Sequence, residues 1–209
     1  MVVIFDSVDA IGKDTQIERL VQSAHKKGII THILHYSNIK GLDNDNKNNF
    51  RESSGVHDFS KVRDLSVKQY QSIFTFMRDV AIPSKDLFIY NRAHLSEYVY
   101  SPMYRNYDGY YVFALEKTIL ADKLSDNIYL FSFIDDPKRI IERDIARGDG
   151  QSFSLDFDKK QEELNRFKEA FNLSGISKKY LIDIEGKTID DVASKIDYAV
   201  FDNYGEITW

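Results

Sequence analysis

The sequence contains no cysteine. Disulfides and thiolate metal sites are therefore excluded, and a reducing, cytoplasmic setting is expected. No apolar run approaches the roughly 18 residues that suggest a membrane span. The first residues, MVVIFDS, lack the basic start of a secretory signal. An excess of positive charge is also missing. The formal net charge of −5 argues against a general nucleic-acid binder, though not against a local basic cleft. His25, His32, His35, His57 and His94 show no H-x-x-x-H or similar ligand spacing, so no structural zinc site is expected. There is no internal repeat. What remains is a chain of 209 residues, 43% hydrophobic, which is enough for one domain with a full core spanning 1–209.

Val2-Val3-Ile4-Phe5 is a short apolar run closed by polar residues and reads as a buried parallel strand. From Asp14 to Lys27, Ile17, Leu20, Val21 and Ala24 recur at helical spacing, with Gly28 placed to end the helix. Ile29 to His35 reads as a second strand. Further strands are expected at Asp86–Tyr90, Ile128–Ile134 and Tyr180–Ile184. Helices are expected at Leu65–Val80, Tyr107–Leu124, Pro137–Arg147, Leu155–Leu173 and Thr188–Phe201. Five strands alternating with helices imply an α/β fold, a five-stranded parallel sheet with helices on both faces. Ligands in such folds sit at the carboxyl ends of the strands. The stretch from about 40 to 60 is rich in Asn, Asp and Gly and reads as a solvated loop or a substrate-side flap.

Between the first strand and the first helix lies FDSVDAIGKDTQ, Phe5 to Gln16. A phosphate-binding loop has the form G-x-x-x-x-G-K-[ST] between a strand and a helix. Here Ser7 replaces the first glycine and Asp14 replaces the magnesium-holding hydroxyl. Gly12 and Lys13 stand at the helix start, where backbone N–H groups and the helix dipole favour phosphate. The expected donor contacts are therefore Asp9, Ala10, Ile11, Gly12, Lys13, Asp14 and Thr15, with Lys13 reaching the outer phosphates of ATP. Ser7 is compatible with the loop if its φ is negative.

These residues resemble the thymidylate kinase loop F-E-G-x-D-G-x-G-K-[ST]-T-Q. Phe5, Asp9, Gly12, Lys13, Thr15 and Gln16 match; Asp6, Ser7, Ala10 and Asp14 depart. LFIYNR, Leu87 to Arg92, resembles the family's strand followed by Asp-Arg. Asp135-Asp136-Pro137 followed by ERDIARGDG resembles its D-x-P and arginine-bearing lid, placed at about 139–155. YLIDIEGKTIDDVASKI resembles its last strand and helix. AHLSEYVYSPMYR, Ala93 to Arg105, is similar to a form found in phage thymidylate kinase-like or deoxynucleoside kinase-like proteins. The resemblance implies a P-loop NTPase fold with a helical lid, ATP as donor, Mg2+ as cofactor and a homodimer.

It also implies roles. Arg92 would hold the acceptor phosphate or bridge it to the donor, since a guanidinium fork suits phosphate. Arg139, Arg143 and Arg147 share a helix face, and Arg143 and Arg147 would be the lid arginines that neutralise transition-state charge. Asp9 would accept from the sugar 3′-hydroxyl. One of Tyr70, Phe74 and Phe76 would stack on the base, with Arg78 reading a base edge or phosphate. Glu97 and Arg105 would pair across the acceptor site. The family's aspartate before the arginine is here Asn91. A carboxylate has thus left position 91 and another has arrived at position 14. Asp14, with Asn91, is expected to take the magnesium-side role.

The reaction class implied is phosphoryl transfer from ATP. A hydroxyl acceptor needs a nearby base, whereas a monophosphate is already an anion. His35-Tyr36-Ser37-Asn38, after the second strand, holds no acid. This favours a deoxynucleoside monophosphate, dTMP first. Asp43, Asp45, Glu52 or Glu97 could still supply a base. A kinase of a deoxynucleoside, or of 5-hydroxymethyl pyrimidine in DNA, is the rival, and a non-catalytic nucleotide-binding protein is the alternative of another class.

Overall fold

A computed structural model describes residues 1–35, 59–81, 85–120, 127–148 and 154–202. The polar segment expected as a flap, apart from its last two residues, and the lid tip at Asp149-Gly150 fall outside the described residues. Five parallel strands form one sheet: β1 (Val2–Phe5), β2 (Thr31–His35), β3 (Leu87–Asn91), β4 (Ile128–Ile134) and β5 (Lys178–Asp183). Their order is β2-β3-β1-β4-β5. The chain leaves central β1 for one edge, returns beside it, then crosses to the other side. That reversal at β1 opens a crevice above its carboxyl end. Phe5 lies level with Asn91 and Phe131, and Asn91 lies level with His35. The residues immediately beyond this row build the site.

β1 is wholly buried because helices cover both its faces, which is why it reads as an unbroken apolar run. Phe5 stacks on Phe131, which stacks on Tyr180, with ring centroids 5.5 and 5.0 Å apart. Each such ring contributes roughly 1.5–3 kcal/mol by leaving water.

Seven α-helices pack around the sheet among the described residues: α1 (Lys13–Lys26), α2 (Phe59–Ala81), α3 (His94–Tyr104), α4 (Tyr111–Leu120), α5 (Pro137–Arg147), α6 (Phe157–Leu173) and α7 (Ile189–Asp197), the last continuing as a π-helical turn over Tyr198–Asp202. The expected elements are present with ends shifted by a few residues. α2 begins six residues earlier than its apolar spacing suggested. The helix expected from Tyr107 starts at Tyr111, because Asn106 takes φ 52 and Asp108 accepts from the Tyr110 N–H, making a turn instead. The expectation missed α3 altogether. It carries Pro102, and its Ala93 cap offers no side-chain hydrogen bond. The cap comes from elsewhere: Asp6 accepts from the N–H groups of Ala93 (2.9 Å) and Ser96 (3.1 Å) and from the Ser96 hydroxyl. A negative group at a helix N-terminus is favourable, and here it is fully buried.

Candidate functional site

The loop after β1 crosses the sheet's carboxyl edge and turns into α1. Positive φ falls at Ala10 (58°) and Gly12 (97°), not at Ser7. Ser7 therefore needs no glycine. Its hydroxyl instead accepts from the Phe133 N–H (2.7 Å) and meets the Ser132 hydroxyl (3.3 Å), pinning the loop to β4. Alternating left-handed residues turn successive N–H groups toward one side, an anion-binding concavity at the N-terminus of α1. Lys13 lies in the first turn of α1, is 5% exposed, and donates to the carbonyls of Val8 (2.6 Å) and Ser7 (3.0 Å). Burial lowers its ammonium to about 8, against the support of Asp6 and Asp14; Arg147 and Lys160 add a further lowering. Of the expected phosphate-loop residues, Ile11, Gly12 and Thr15 border one cleft.

Asn91 and Asp14 touch. Asn91 Nδ2 donates to Asp14 Oδ1 at 2.6 Å, and the same nitrogen lies 3.5 Å from His35 Nδ1. The two positions expected to share the magnesium-side role are therefore neighbours. Beside them, Arg92 takes φ 72, a left-handed backbone that costs a side-chain-bearing residue roughly 1–2 kcal/mol. Strain of this kind clusters at functional sites. Arg92 forms an ion pair with Asp9, lies over the Tyr100 ring, and approaches the Ser96 hydroxyl.

The arginine-bearing helix α5 starts from a cap in which Asp136 accepts from the Lys138 N–H, and ends on Gly148 at φ 68. Arg143 lies 2.7 Å from the buried Asp135 carboxylate without the alignment of a hydrogen bond, and Arg139 approaches the same group at 3.6 Å. Arg147 turns instead to Asp144 at 3.0 Å. Arg143 also walls a cleft of about 240 Å³ that runs from Gly12 and Thr15 to Ile184, Thr188 and Val192. The sequence reading missed this far wall. The signal was present in the β5–α7 turn: Thr188 and Asp191 form a reciprocal capping box, and Gln16 donates to the Ile189 carbonyl, joining the turn to α1.

The remaining candidates divide. Glu97 and Arg105 do pair (2.8 Å), but Glu97 is 2% exposed and also accepts from the hydroxyls of Tyr107 and Tyr111, both at 2.7 Å. No local pattern in the sequence pointed to these two tyrosines. The expectation that Tyr70 or Phe74 faces a base is not met here. Both are fully buried, with Tyr70 donating to the Ala93 carbonyl and Phe74 packed on His94. Phe76 packs on Phe88. Arg78 is not brought to the cluster. It pairs with Asp79 in the last turn of α2, eight residues and so about 12 Å of helix beyond Tyr70.

No helix among the described residues is long and apolar enough to cross a membrane. No protein-family model matches the chain, and no curated protein matches its sequence. Solved structures do. Thymidylate kinase from Candida albicans is similar over 93% of this chain and 88% of its own, at 15% identity and a TM-score of 0.61. Thymidylate kinase from Ehrlichia chaffeensis is similar over 94% and 96%, at 14% identity and 0.59. With its five-stranded parallel sheet, its phosphate loop after the central strand and these neighbours, the chain has the P-loop fold of the thymidylate kinases.

Proposed function

We propose that the chain is an ATP-dependent kinase acting on a deoxynucleoside monophosphate, dTMP foremost. One observation carries the choice of acceptor. The described carboxylates around the phosphate loop are already engaged: Asp6 by α3, Asp9 by Arg92, Asp14 by Asn91, Asp135 by Arg139 and Arg143, and Glu163 by Lys160 and Tyr104. A hydroxyl acceptor needs one of them freed as a base, whereas a phosphate acceptor needs no base and itself supplies the anion that draws Arg92 away from Asp9.

In this reading the loop N–H groups and Lys13 hold the donor phosphates, and the adenine lies in the cleft beneath Arg143. The Arg92–Asp9 pair exchanges partners when the acceptor arrives: Arg92 takes its phosphate and Asp9 its 3′-hydroxyl. Arg143 and Arg147 then neutralise charge developing on the transferred group. The donor set of Asp14 and Asn91 fits a divalent cation, since oxygen atoms of both residues can face one point beside the loop. Such an ion, Mg2+ by the resemblance of the sequence motifs, would neutralise the β- and γ-phosphate oxygens.

The test is ADP release with ATP and a divalent cation against four deoxynucleoside monophosphates, their nucleosides and hydroxymethyl-bearing DNA. Turnover with dTMP or another monophosphate is expected, reduced at least 100-fold in Arg92→Ala. Turnover only with nucleoside or DNA would transfer the reading to the rival kinase, its base supplied from 36–58. ATP binding with no turnover on any acceptor would make this a nucleotide-binding protein instead.

A further inference from the structure

Asp6 follows β1 directly, is fully buried, and donates its own N–H to the Phe131 carbonyl of β4 at 3.0 Å. Its carboxylate reaches across to the start of α3. The N–H groups of Ala93 and Ser96 share Oδ2, and the Ser96 hydroxyl donates to Oδ1. A helix is ordinarily capped by the side chain of the boundary residue, which accepts from the third N–H of the helix. Here that residue is Ala93, which has no acceptor, and the third N–H is that of Ser96. A serine at 93 would satisfy it locally, so capping alone does not explain an acid brought from the loop. The difference lies in the Ala93 N–H, which a side chain on residue 93 does not take and Asp6 does. The preceding N–H, that of Arg92, donates to the Phe5 carbonyl at 2.8 Å. The two peptide groups flanking the Arg92 Cα are thus both held by the end of β1 and the residue after it. With both planes held, the φ and ψ between them are set, since the chain has no other soft dihedrals there. The result is φ 72 at Arg92, a conformation that a residue with a side chain leaves when it is free to. It also sets the direction of the Arg92 Cα–Cβ bond. The guanidinium at its end pairs with Asp9, lies over Tyr100 and approaches the Ser96 hydroxyl, itself held by Asp6.

We propose that Asp6 is a positioning residue: its carboxylate holds the left-handed turn at Arg92 and so aims the guanidinium at the anionic group the site receives. The proposal rests on the kinase reading only for what that group is, the acceptor phosphate. The phosphate loop then grips Arg92 twice, at the backbone through Asp6 and at the side chain through Asp9. A phosphate that displaces Asp9 leaves the Asp6 bonds in place, so Arg92 changes partner without losing its direction. A carboxylate suits the task better than a neutral cap, because bonds from N–H groups to an ionised acceptor are the stronger ones.

The test uses the full chain with Asp6→Ala, Asp6→Ala combined with Ala93→Ser, and Asp6→Asn. Each is read for its thermal midpoint, for the backbone chemical shifts of Arg92 and Ala93 without ligand, and for kcat/KM on the deoxynucleoside monophosphate that the wild type turns over. Asp6→Ala is expected to lower the midpoint, to move the Arg92 shifts out of the left-handed range and to reduce kcat/KM by about tenfold or more. Adding Ala93→Ser, which caps the Ser96 N–H but not the Ala93 N–H, recovers the midpoint and neither the shifts nor the turnover. Asp6→Asn, whose amide oxygen still accepts from Ala93, keeps the shifts and most of the turnover. In an Arg92→Ala background, Asp6→Ala has less than about threefold further effect on kcat/KM, because it acts through Arg92. Left-handed shifts that survive Asp6→Ala would overturn the proposal. So would turnover that returns together with the midpoint on adding Ala93→Ser, or an undiminished further loss in the Arg92→Ala background; either leaves Asp6 a helix cap. The kinase reading fails separately. A wild type that turns over no monophosphate, with Arg92 shifts that still follow Asp6 in this way, upholds the hold on Arg92 and removes only the acceptor phosphate.

Discussion

Lys13 places a charge in a buried pocket whose nearest hydrogen-bond partners are two carbonyls. Burial lowers its ammonium to about 8. A group so depressed is protonated in the folded chain below that pH and neutral above it, while in the unfolded chain it stays charged until about 10.4. Between these values the unfolded state binds more protons, so this group makes the ligand-free protein more stable as pH rises from 8. Phosphate binding runs the other way, because it needs the charge. ATP affinity is expected to weaken by nearly tenfold per pH unit above 8, and Lys13→Ala to remove that slope along with most of the affinity. Calorimetric titration between pH 7 and 9.5 checks it; a flat wild-type profile would mean that Lys13 does not meet the phosphates. The motif made this lysine legible in the sequence. Its depressed proton affinity was not, because that follows from enclosure by β1, the loop and distant cations.

At the scale of elements, α3 shows how a helix can escape a reading of local pattern. Three of its eleven residues are tyrosine, it contains Pro102, and its cap is Asp6, some ninety residues away in sequence. Gly109 shows the same dependence from the other side. A Cβ there would stand 2.6 Å from the Glu97 carbonyl oxygen and 2.7 Å from the Tyr98 Cα, both backbone atoms that cannot turn aside. Gly109→Ala is expected to push the α3–α4 turn off α3, costing about 1–3 kcal/mol in denaturant unfolding. It should also disturb Glu97, which holds Arg105, Tyr107 and Tyr111. An unchanged midpoint would show that the turn has room to move. By contrast α5 was legible end to end, because Asp136, Pro137 and Gly148 are local signals for cap, first turn and stop. The aromatics of α2 were misassigned for a related reason. Helical spacing says that Tyr70, Phe74 and Met77 share a face, but not whether that face meets a ligand or the core.

Across the whole molecule, a buried network joins α3, α4 and the turn after α6. Glu116 of α4 meets His94 of α3 at 2.8 Å and accepts from Ser174 and the Gly175 N–H after α6. Burial pushes the Glu116 carboxyl upward, but His94, Ser174 and Gly175 together outweigh it and hold the group below its usual range. Its stabilisation is fully present above the unfolded value of about 4.3 and is lost as pH falls through the lower folded value. Glu116→Gln is expected to cost about 1–3 kcal/mol of stability at pH 7, read as a lower midpoint of thermal unfolding, and to reduce the loss seen between pH 4.5 and 3. Melting curves across that range decide it; parallel wild-type and variant profiles would assign the acid sensitivity to other carboxylates.

The strand–loop–helix opening, the alternation of strands with helices and the arginine-bearing helix were legible in local sequence alone. These follow from periodicities and stop signals within a few residues of one another, and such signals survive without any neighbour. That Asp14, Asn91 and His35 meet, that Arg92 pairs with Asp9, that Glu97 is enclosed by two tyrosines, and that Arg78 lies elsewhere on α2 came from the folded arrangement. Those outcomes depend on strand order and register. The β2-β3-β1 arrangement brings His35, Asn91 and Phe5 level although they lie up to 86 residues apart, and no local rule records which strand will stand beside which.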